Sequence, residues 1–311
     1  MRALWVLVLL SALGCSETKD EPAAGSGGAS TGGASGASGA GASGGGGAGA
    51  GCDATTPGCV NHVSGKVIDD SGAGVPQLLM SVCGAVCYFG ETDGSGNFDV
   101  GVGAVIDPLQ YSTLPHGRPD YTSFYYLLPT GAQDQVNVGE LLVLPLPSGG
   151  QTLVVKSDSA GAPAQTVTHG GVTLEVPQDV VVKIDVEDIA LGDPGKTFRA
   201  LQIPSQHQAA FVAPSESVLA LYQLTPFETS FRDANGKPAK VRLSFEAPAG
   251  LGAGETVEVL ALGSYLFLDW VSPARFEPVA TATVTSDGTR VEMDPGQGIE
   301  YLTWIALRKK P

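Results

Sequence analysis

The feature that most constrains this chain is the stretch from Ala23 to Gly51, which contains only glycine, alanine, serine and threonine. None of these side chains buries enough apolar surface to offset the entropy lost when the backbone is ordered. The stretch is therefore expected to be a disordered, flexible coil with a typical span of roughly 30 Å. It is interpreted either as a spacer or as a low-complexity expansion of no selected length. We assign residues 15–58 to a tether and expect folded structure only after it.

Residues 1–14 have the pattern of an export signal. Arg2 carries a positive charge, and an apolar run from Ala3 to Leu13 follows. The run is shorter than the roughly 20 residues that a helix needs to cross a bilayer, and it suits the central region of a signal peptide. The segment Ala12-Leu13-Gly14-Cys15 resembles a bacterial lipoprotein signal. It departs from that family's usual pattern, which has leucine in place of Ala12 and a small residue in place of Leu13.

This resemblance implies a lipid anchor at Cys15. In that family a diacylglycerol is attached to the cysteine sulfur and the new amino group is acylated, and several acyl chains make anchoring stable. Ser16 follows instead of aspartate, which by the sorting rule of enteric bacteria implies the outer membrane. The expected location is the cell envelope, with the membrane as a partner through the anchor. The alternative is ordinary cleavage near Gly14, which would leave a soluble protein with a free thiol.

The charge balance argues against a nucleic-acid partner. The 311 residues include 17 Lys and Arg and 32 Asp and Glu, a formal net charge of −15. Phosphate binding needs clustered basic side chains, and the only local run is Arg308-Lys309-Lys310.

Four cysteines follow the tether: Cys52, Cys59, Cys83 and Cys87. An even number in an exported chain suggests disulfides, and four cysteines allow three connectivities. The simplest is local pairing, Cys52 with Cys59 and Cys83 with Cys87. Cross-pairing would link the end of the tether covalently to the first folded part. The spacings do not favour a metal site, and we expect no metal and no cofactor.

Residues 59–147 are predicted to form a first β-sandwich module. Short alternating runs are separated by turn residues every eight to twelve positions, which is typical of a sandwich. The stretch from Val63 to Val100 resembles the carboxypeptidase regulatory-like (transthyretin-like) domain. That resemblance implies a non-catalytic accessory module. Its motif residues here are Val63, Gly65, Val67, Asp69, Gly72, Val75, Pro76, Thr92, Asp93, Gly96 and Phe98.

Residues 148–311 are predicted to form a second β-sandwich module. Strands are expected at several apolar runs, for example Val172–Val176, Thr256–Leu262 and Phe276–Val284, with turn signals such as Asn235-Gly236 between them. No amphipathic helix longer than two turns is evident. Two groups of segments also resemble other exported proteins. His169–Pro177 resembles the opening strand of zona-occludens/netrin-receptor type β-domains. Repetitive surface proteins of myxobacteria and relatives are similar at Val259–Gly263, Ala280–Gly288, Gly298-Ile299 and Leu302–Trp304.

No catalytic motif stands out. There is no G-x-S-x-G nucleophile elbow, and each of the four histidines, including His116, is expected in a solvated loop. The acidic group Asp185-Val-Glu-Asp188 suits a cation site or half of a glycosidase pair, although a strand-end turn is the simpler interpretation. The turn from Asp93 to Asn97 lacks the distant glutamate of a calcium loop, so a hairpin turn is expected.

Aromatic side chains supply the candidate binding residues Tyr121, Phe124, Tyr125 and Tyr126, which suit stacking on sugars, while alternation turns half of them towards the core. The sequence therefore predicts an envelope lipoprotein, not an enzyme, that displays β-sandwich modules for structural or adhesive binding. One alternative is a carbohydrate- or peptidoglycan-binding module, which would use these aromatics or Trp270. The second is an exported hydrolase with an unrecognised site. An envelope glycan or another surface protein is the expected partner.

Overall fold

The computed structural model describes residues 51–156, 161–213 and 217–310, and in these ranges the protein is mainly β. The expectation of a β-rich chain is confirmed at this level. Predictions for residues 1–50, including the signal peptide, Cys15 and most of the tether, lie outside the described residues. Within the described ranges, none of the helices has the length and hydropathy required to span a bilayer. We keep the names first module and second module for residues 59–147 and 148–311.

The first module consists of short strands whose alternating apolar residues face one core. Leu78, Met80 and Val82 are fully buried, and so are Val63 and Val67. This spacing of two is what a strand with one buried face requires. The strands are β1 (Cys59–Ile68), β2 (Leu79–Cys83), β3 (Cys87–Glu91), β4 (Asn97–Val105), β5 (Ser112–His116), β6 (Tyr126–Leu127) and β7 (Asp134–Leu142), with a 3₁₀ turn at Pro108–Gln110.

These strands form two sheets that share the core. One has three strands in the order β4-β1-β7, with β1 antiparallel to β4 and parallel to β7. The other has four strands in the order β3-β2-β5-β6. Val63 and Phe98 from the first sheet and Met80 from the second belong to one hydrophobic cluster. The turn between β3 and β4 is closed by Asp93, whose Oδ1 accepts hydrogen bonds from the backbone N–H groups of Ser95 and Asn97.

Both disulfides have the local pairing. Cys52 bonds to Cys59 at the start of β1, and Cys83 bonds to Cys87 at the tight end of the β2–β3 hairpin. Residues just before β1 also contact the first module, since the amide of Asn61 donates to the carbonyl of Cys52 at 3.2 Å.

The second module contains the remaining strands of the described residues. They are β8 (Gln151–Thr152), β9 (Gln165–His169), β10 (Val172–Val176), β11 (Val181–Lys183), β12 (Thr197–Gln202), β13 (Val218–Thr225), β14 (Ser230–Arg232), β15 (Arg242–Glu246), β16 (Thr256–Leu262), β17 (Phe276–Val284), β18 (Arg290–Met293) and β19 (Trp304–Lys309). Two short helices, α1 (Val186–Ala190) and α2 (Ser205–Gln208), and a 3₁₀ turn at Pro194–Lys196 lie in the connections.

One ten-stranded sheet dominates this module, in the order β8-β12-β13-β19-β16-β17-β18-β15-β10-β9. It is nearly closed, because the two ends approach each other: His169 of β9 contacts the backbone of Ala200 on β12, and the backbone of Thr168 donates to the side chain of Gln151 on β8. A separate pair, β11-β14, completes the module. The architecture is thus a curled sheet in place of the two separate sheets that a sandwich would have. Curling buries the apolar face of a long twisted sheet against itself.

A third hydrophobic cluster joins the two modules, and we call this junction the seam. Phe124 and Leu144 of the first module pack there with Phe211 and Trp304 of the second. The indole N–H of Trp304 donates to the carbonyl of Ser123 at 2.5 Å. The seam therefore has the buried aromatic packing of a domain interior, which holds the two modules in a fixed relation.

Candidate functional site

A cavity of about 200 Å³ opens at the seam, and we call it the seam cavity. The first module contributes the end of β5 and the segment after it, including His116 and Tyr121. The second module contributes α1, the turn Pro194–Lys196 and the end of β13. Phe89 and Leu266 also line it, and because they are 61% and 58% exposed they lie at its opening. Clefts between packed units are common positions for ligand sites.

Three carboxyl groups line the cavity from the beginning of α1. Asp185 caps this helix by accepting a hydrogen bond from the backbone N–H of Glu187 at 3.0 Å. Burial raises the pKa of Asp188 to about 7, and the negative charges of Asp185 and Glu187 contribute to the rise. A carboxyl group with a pKa raised towards neutrality is suited to proton transfer. The segment is a short helix, where the sequence had suggested a strand-end turn.

His116 lies beside these carboxyl groups at the end of β5. Its Nδ1 is 3.2 Å from Oε2 of Glu187, and the hydrogen bond from His116 lowers the pKa of that carboxyl group. The other ring nitrogen, Nε2, is buried and has no hydrogen-bond partner among the described residues. The expectation of a solvated loop histidine is wrong here, because β5 places the ring against α1.

Glu228 connects the two modules across the cavity wall. Its Oε1 accepts hydrogen bonds from the phenol of Tyr125, at 2.6 Å, and from the hydroxyl of Ser264. Burial of the carboxyl group raises the pKa of Glu228, and the two hydrogen bonds oppose the rise. Glu228 also has a φ of 62°, a left-handed conformation that costs free energy for residues other than glycine. The surrounding structure thus keeps this carboxyl group in place, although its burial and its backbone conformation both cost free energy.

Gln223 on β13 is the most unusual polar residue of the cavity. It is fully buried, it lines the cavity, and both Nε2 and Oε1 of its amide lack hydrogen-bond partners among the described residues. Leaving a buried polar group without a partner typically costs about 1–3 kcal/mol. A buried amide in this state is rare in folded proteins, and it marks this part of the cavity wall as the place to look for a binding role.

The cationic side chains of the cavity already have partners. The guanidinium of Arg118 donates to Asp120 and to the carbonyl of Pro76, and it lies 4.9 Å from the ring centre of Tyr121. The buried guanidinium of Arg199 donates to the carbonyls of Pro119, in the first module, and Pro194, in the second. Both arginines therefore serve to tie neighbouring segments together.

The structure separates the four candidate aromatic residues into two pairs. Tyr121 and Tyr125 line the cavity. Phe124 belongs to the seam core, with its ring centre 4.9 Å from that of Trp304, and the hydroxyl of Tyr126 donates to the carbonyl of Leu142. Only the first pair is placed to meet a ligand in the cavity.

Among the residues that the structure describes, those outside the seam cavity do not form a comparable site. Trp270 packs edge-on against Tyr301 at 4.6 Å. His62 pairs with Asp99 at the surface, and His169 bonds to backbone groups that close the sheet. In the described part of the chain, no group of three or more His, Cys, Asp or Glu side chains is arranged to hold a metal ion.

The sequence signal for the site was partial. It singled out Asp185–Asp188 and two of the aromatics, but it gave no reason to select Gln223 or Glu228, which look like ordinary residues of a strand and a loop. Their role comes from burial next to a cavity, which only the folded arrangement reveals.

The chain matches no protein-family model and no curated protein. The resemblance to the carboxypeptidase regulatory-like domain therefore stays a prediction, and function has to be argued from the cavity.

Proposed function

We propose that this chain is an exported bacterial lipoprotein of the cell envelope, anchored at Cys15 in the outer membrane, that displays its two modules as a non-catalytic binding element. In this proposal the first module is a β-sandwich of the carboxypeptidase regulatory-like type. The observation that carries the binding role is the seam cavity, whose buried Gln223 amide has no partner among the described residues. A purely structural module has no need to leave such a group unsatisfied.

The disulfides support the exported location. Cys52 and Cys59, and Cys83 and Cys87, are bonded in pairs, and such bonds persist in oxidising compartments outside the cytoplasm. The acidic surface supports a protein partner or a neutral glycan partner over a nucleic acid.

Metabolic labelling with a radioactive fatty acid tests the anchor. The full chain is expected to carry label, and Cys15→Ala is expected to remove both the label and the membrane association. Label that persists in Cys15→Ala, or an unprocessed chain in the cytosolic fraction, would contradict this part of the proposal.

Sedimentation with envelope fragments tests the binding role. The chain carrying Cys15→Ala is mixed with bacterial envelope fragments from which lipid and protein have been removed, so that the anchor cannot cause retention. We expect it to sediment with them, and we expect Gln223→Leu in the same background to weaken retention. Gln202→Leu is the matched control, because it makes the same change at an exposed position on β12. Equal retention of all three chains, or none, would count against the cavity as the binding site.

A second function, hydrolysis of a glycoside, is favoured by one specific observation. The pKa values of two neighbouring carboxyl groups are shifted in opposite directions. His116 lowers the pKa of Glu187, and burial raises that of Asp188 to about 7. Glycosidases use such a pair, one carboxyl group protonated and one ionised. Release of nitrophenol from nitrophenyl glycosides, abolished by Asp188→Asn, would establish hydrolysis and exclude the purely binding role.

A further inference from the structure

The unpaired amide of Gln223 defines what a ligand of the seam cavity must offer. Nε2 donates hydrogen bonds and Oε1 accepts them, so the complementary group has both an acceptor and a donor a short distance apart. Neighbouring hydroxyl groups on a ring meet this requirement. The buried Nε2 of His116 adds a second unpaired position on the cavity lining among the described residues.

Apart from Asp188, the charged side chains that line the cavity are matched within the protein. Arg118 and Arg199 have carboxylate or carbonyl partners, Glu187 has His116, and Glu228 has Tyr125 and Ser264. Of the buried polar atoms that lack a hydrogen-bond partner among the described residues, those on the cavity lining belong to a neutral amide, Gln223, and to the imidazole of His116. This pattern favours a neutral ligand that forms several hydrogen bonds over an ion that needs one strong opposite charge.

The size and apolar lining of the cavity indicate a ring. An apolar cavity of about 150 Å³ accommodates benzene, so a cavity of about 200 Å³ accommodates one six-membered ring with substituents. The rings of Tyr121 and Tyr125 line the wall, and Phe89 and Leu266 flank the opening. Aromatic surface combined with a few convergent polar groups is typical of sites for small polar rings.

We propose that the seam cavity binds a single hydroxyl-bearing six-membered ring, such as one sugar residue of an envelope polysaccharide, with the Gln223 amide paired to two adjacent hydroxyl groups. This inference rests on the proposed binding function and names its ligand class. The end of a longer glycan can lie across Phe89 and Leu266 outside the opening, because these side chains are exposed there.

Isothermal titration of the full chain with four probes tests the ligand class. The probes are glucose, N-acetylglucosamine, cyclohexanol and cyclohexylamine. We expect at least one sugar to bind more tightly than cyclohexanol, which has the ring but only one hydroxyl group. Tighter binding of cyclohexylamine than of every sugar would overturn the proposal in favour of a cation site, and tightest binding of cyclohexanol would overturn it in favour of an apolar pocket.

Two variants locate the binding. Gln223→Leu keeps the side-chain volume but removes both hydrogen-bonding atoms, and it is expected to weaken sugar binding about tenfold, the equivalent of two neutral hydrogen bonds. Tyr121→Ala removes ring surface from the cavity wall and is expected to weaken binding independently of any change at Gln223. Gln202→Leu is expected to bind as the unmodified chain does. Sugar binding that none of the cavity variants alters would place the ligand elsewhere and overturn the proposal.

The outcomes separate this inference from the proposed function. If no sugar binds but Gln223→Leu still lowers retention on envelope fragments, the ligand class is wrong and the binding function stands. If neither measurement responds to the cavity variants, both are wrong.

Discussion

The phenol of Tyr125 donates a 2.6 Å hydrogen bond to the carboxyl group of Glu228, which lies 103 residues later in the chain. Tyr125 is buried in the seam, and its ring also packs edge-on against Tyr265 at 5.3 Å. This one contact joins the first module, the strained backbone of Glu228 and the wall of the cavity. It is therefore a suitable place to test whether the seam holds the cavity in shape.

Tyr125→Phe removes the hydroxyl group and leaves Glu228 with the hydroxyl of Ser264 as its remaining donor in the described hydrogen-bond network. Removing one donor from a buried carboxyl oxygen typically costs about 1–3 kcal/mol, so we expect the free energy of unfolding to fall by about 2 kcal/mol. Urea denaturation measures the change. Tyr126→Phe is the matched control, because it removes a neutral bond to the Leu142 carbonyl within the first module and should cost about 1 kcal/mol. Equal losses in the two variants would contradict a special role for Glu228.

Gln223→Leu is expected to stabilise the unliganded protein. The variant removes a buried amide whose two polar atoms have no partner among the described residues, and replacing such a group by an apolar one of similar size recovers about 1–2 kcal/mol. Thermal denaturation should therefore show a higher Tm together with weaker binding, as is common where function keeps a destabilising group in place. A lower Tm for Gln223→Leu would mean that the amide has partners in the folded chain.

The raised pKa of Asp188 predicts a specific pH dependence of stability. The folded-state pKa is about 7 and the ordinary value is 3.8, so between these values the folded protein holds the proton more tightly than the unfolded chain. The contribution of this group to the free energy of unfolding is full below about pH 4 and decreases as the pH rises to about 7.

Asp188→Asn should remove that decrease. We expect the difference between the unmodified chain and the variant to change by about 2 kcal/mol from pH 4 to pH 7, less than full linkage gives, because the side chain keeps some contact with water. Urea denaturation at stepwise pH measures it, and parallel stability curves for the two chains would contradict the raised pKa. Other acidic groups with lowered pKa, such as Asp93, affect both chains equally.

Several strands were predictable because their pattern is local. Val172–Val176, Thr256–Leu262 and Phe276–Val284 are strands with the bounds that the sequence suggested, since alternation and flanking turns specify both the element and its ends. The segment Tyr121–Leu128, in contrast, is a strand only at Tyr126–Leu127, with one isolated β-bridge from Tyr121 to Pro145. Its aromatic side chains pack in the seam, against residues that lie far away in the sequence.

The curled sheet and the seam cavity could not be predicted for the same reason. Sheet order depends on which distant strands pair, as β13 does with β19, and one-dimensional periodicity does not encode the partner. Glu228 and Gln223 become notable only when Tyr125 and the end of β5 come to lie beside them. The backbone strain of Glu228 and the unpaired amide of Gln223 arise from the whole fold, so local sequence patterns do not predict them.

Phe124→Ala provides the test of the seam itself. The side chain is 6% exposed and its ring contacts Trp304, Phe211 and Tyr126 with centroid distances of 4.9, 5.0 and 5.0 Å. Truncating a buried phenylalanine costs about 3–5 kcal/mol, through lost burial and the void that remains. Because the void opens between the two modules, we expect urea denaturation to become less steep or to separate into two transitions, in addition to a lower midpoint.

Phe89→Ala, at a position 61% exposed on the rim of the cavity, is the control and should change the free energy of unfolding by about 0.5 kcal/mol or less. A single transition of unchanged steepness in Phe124→Ala would show that the modules unfold together without help from this contact.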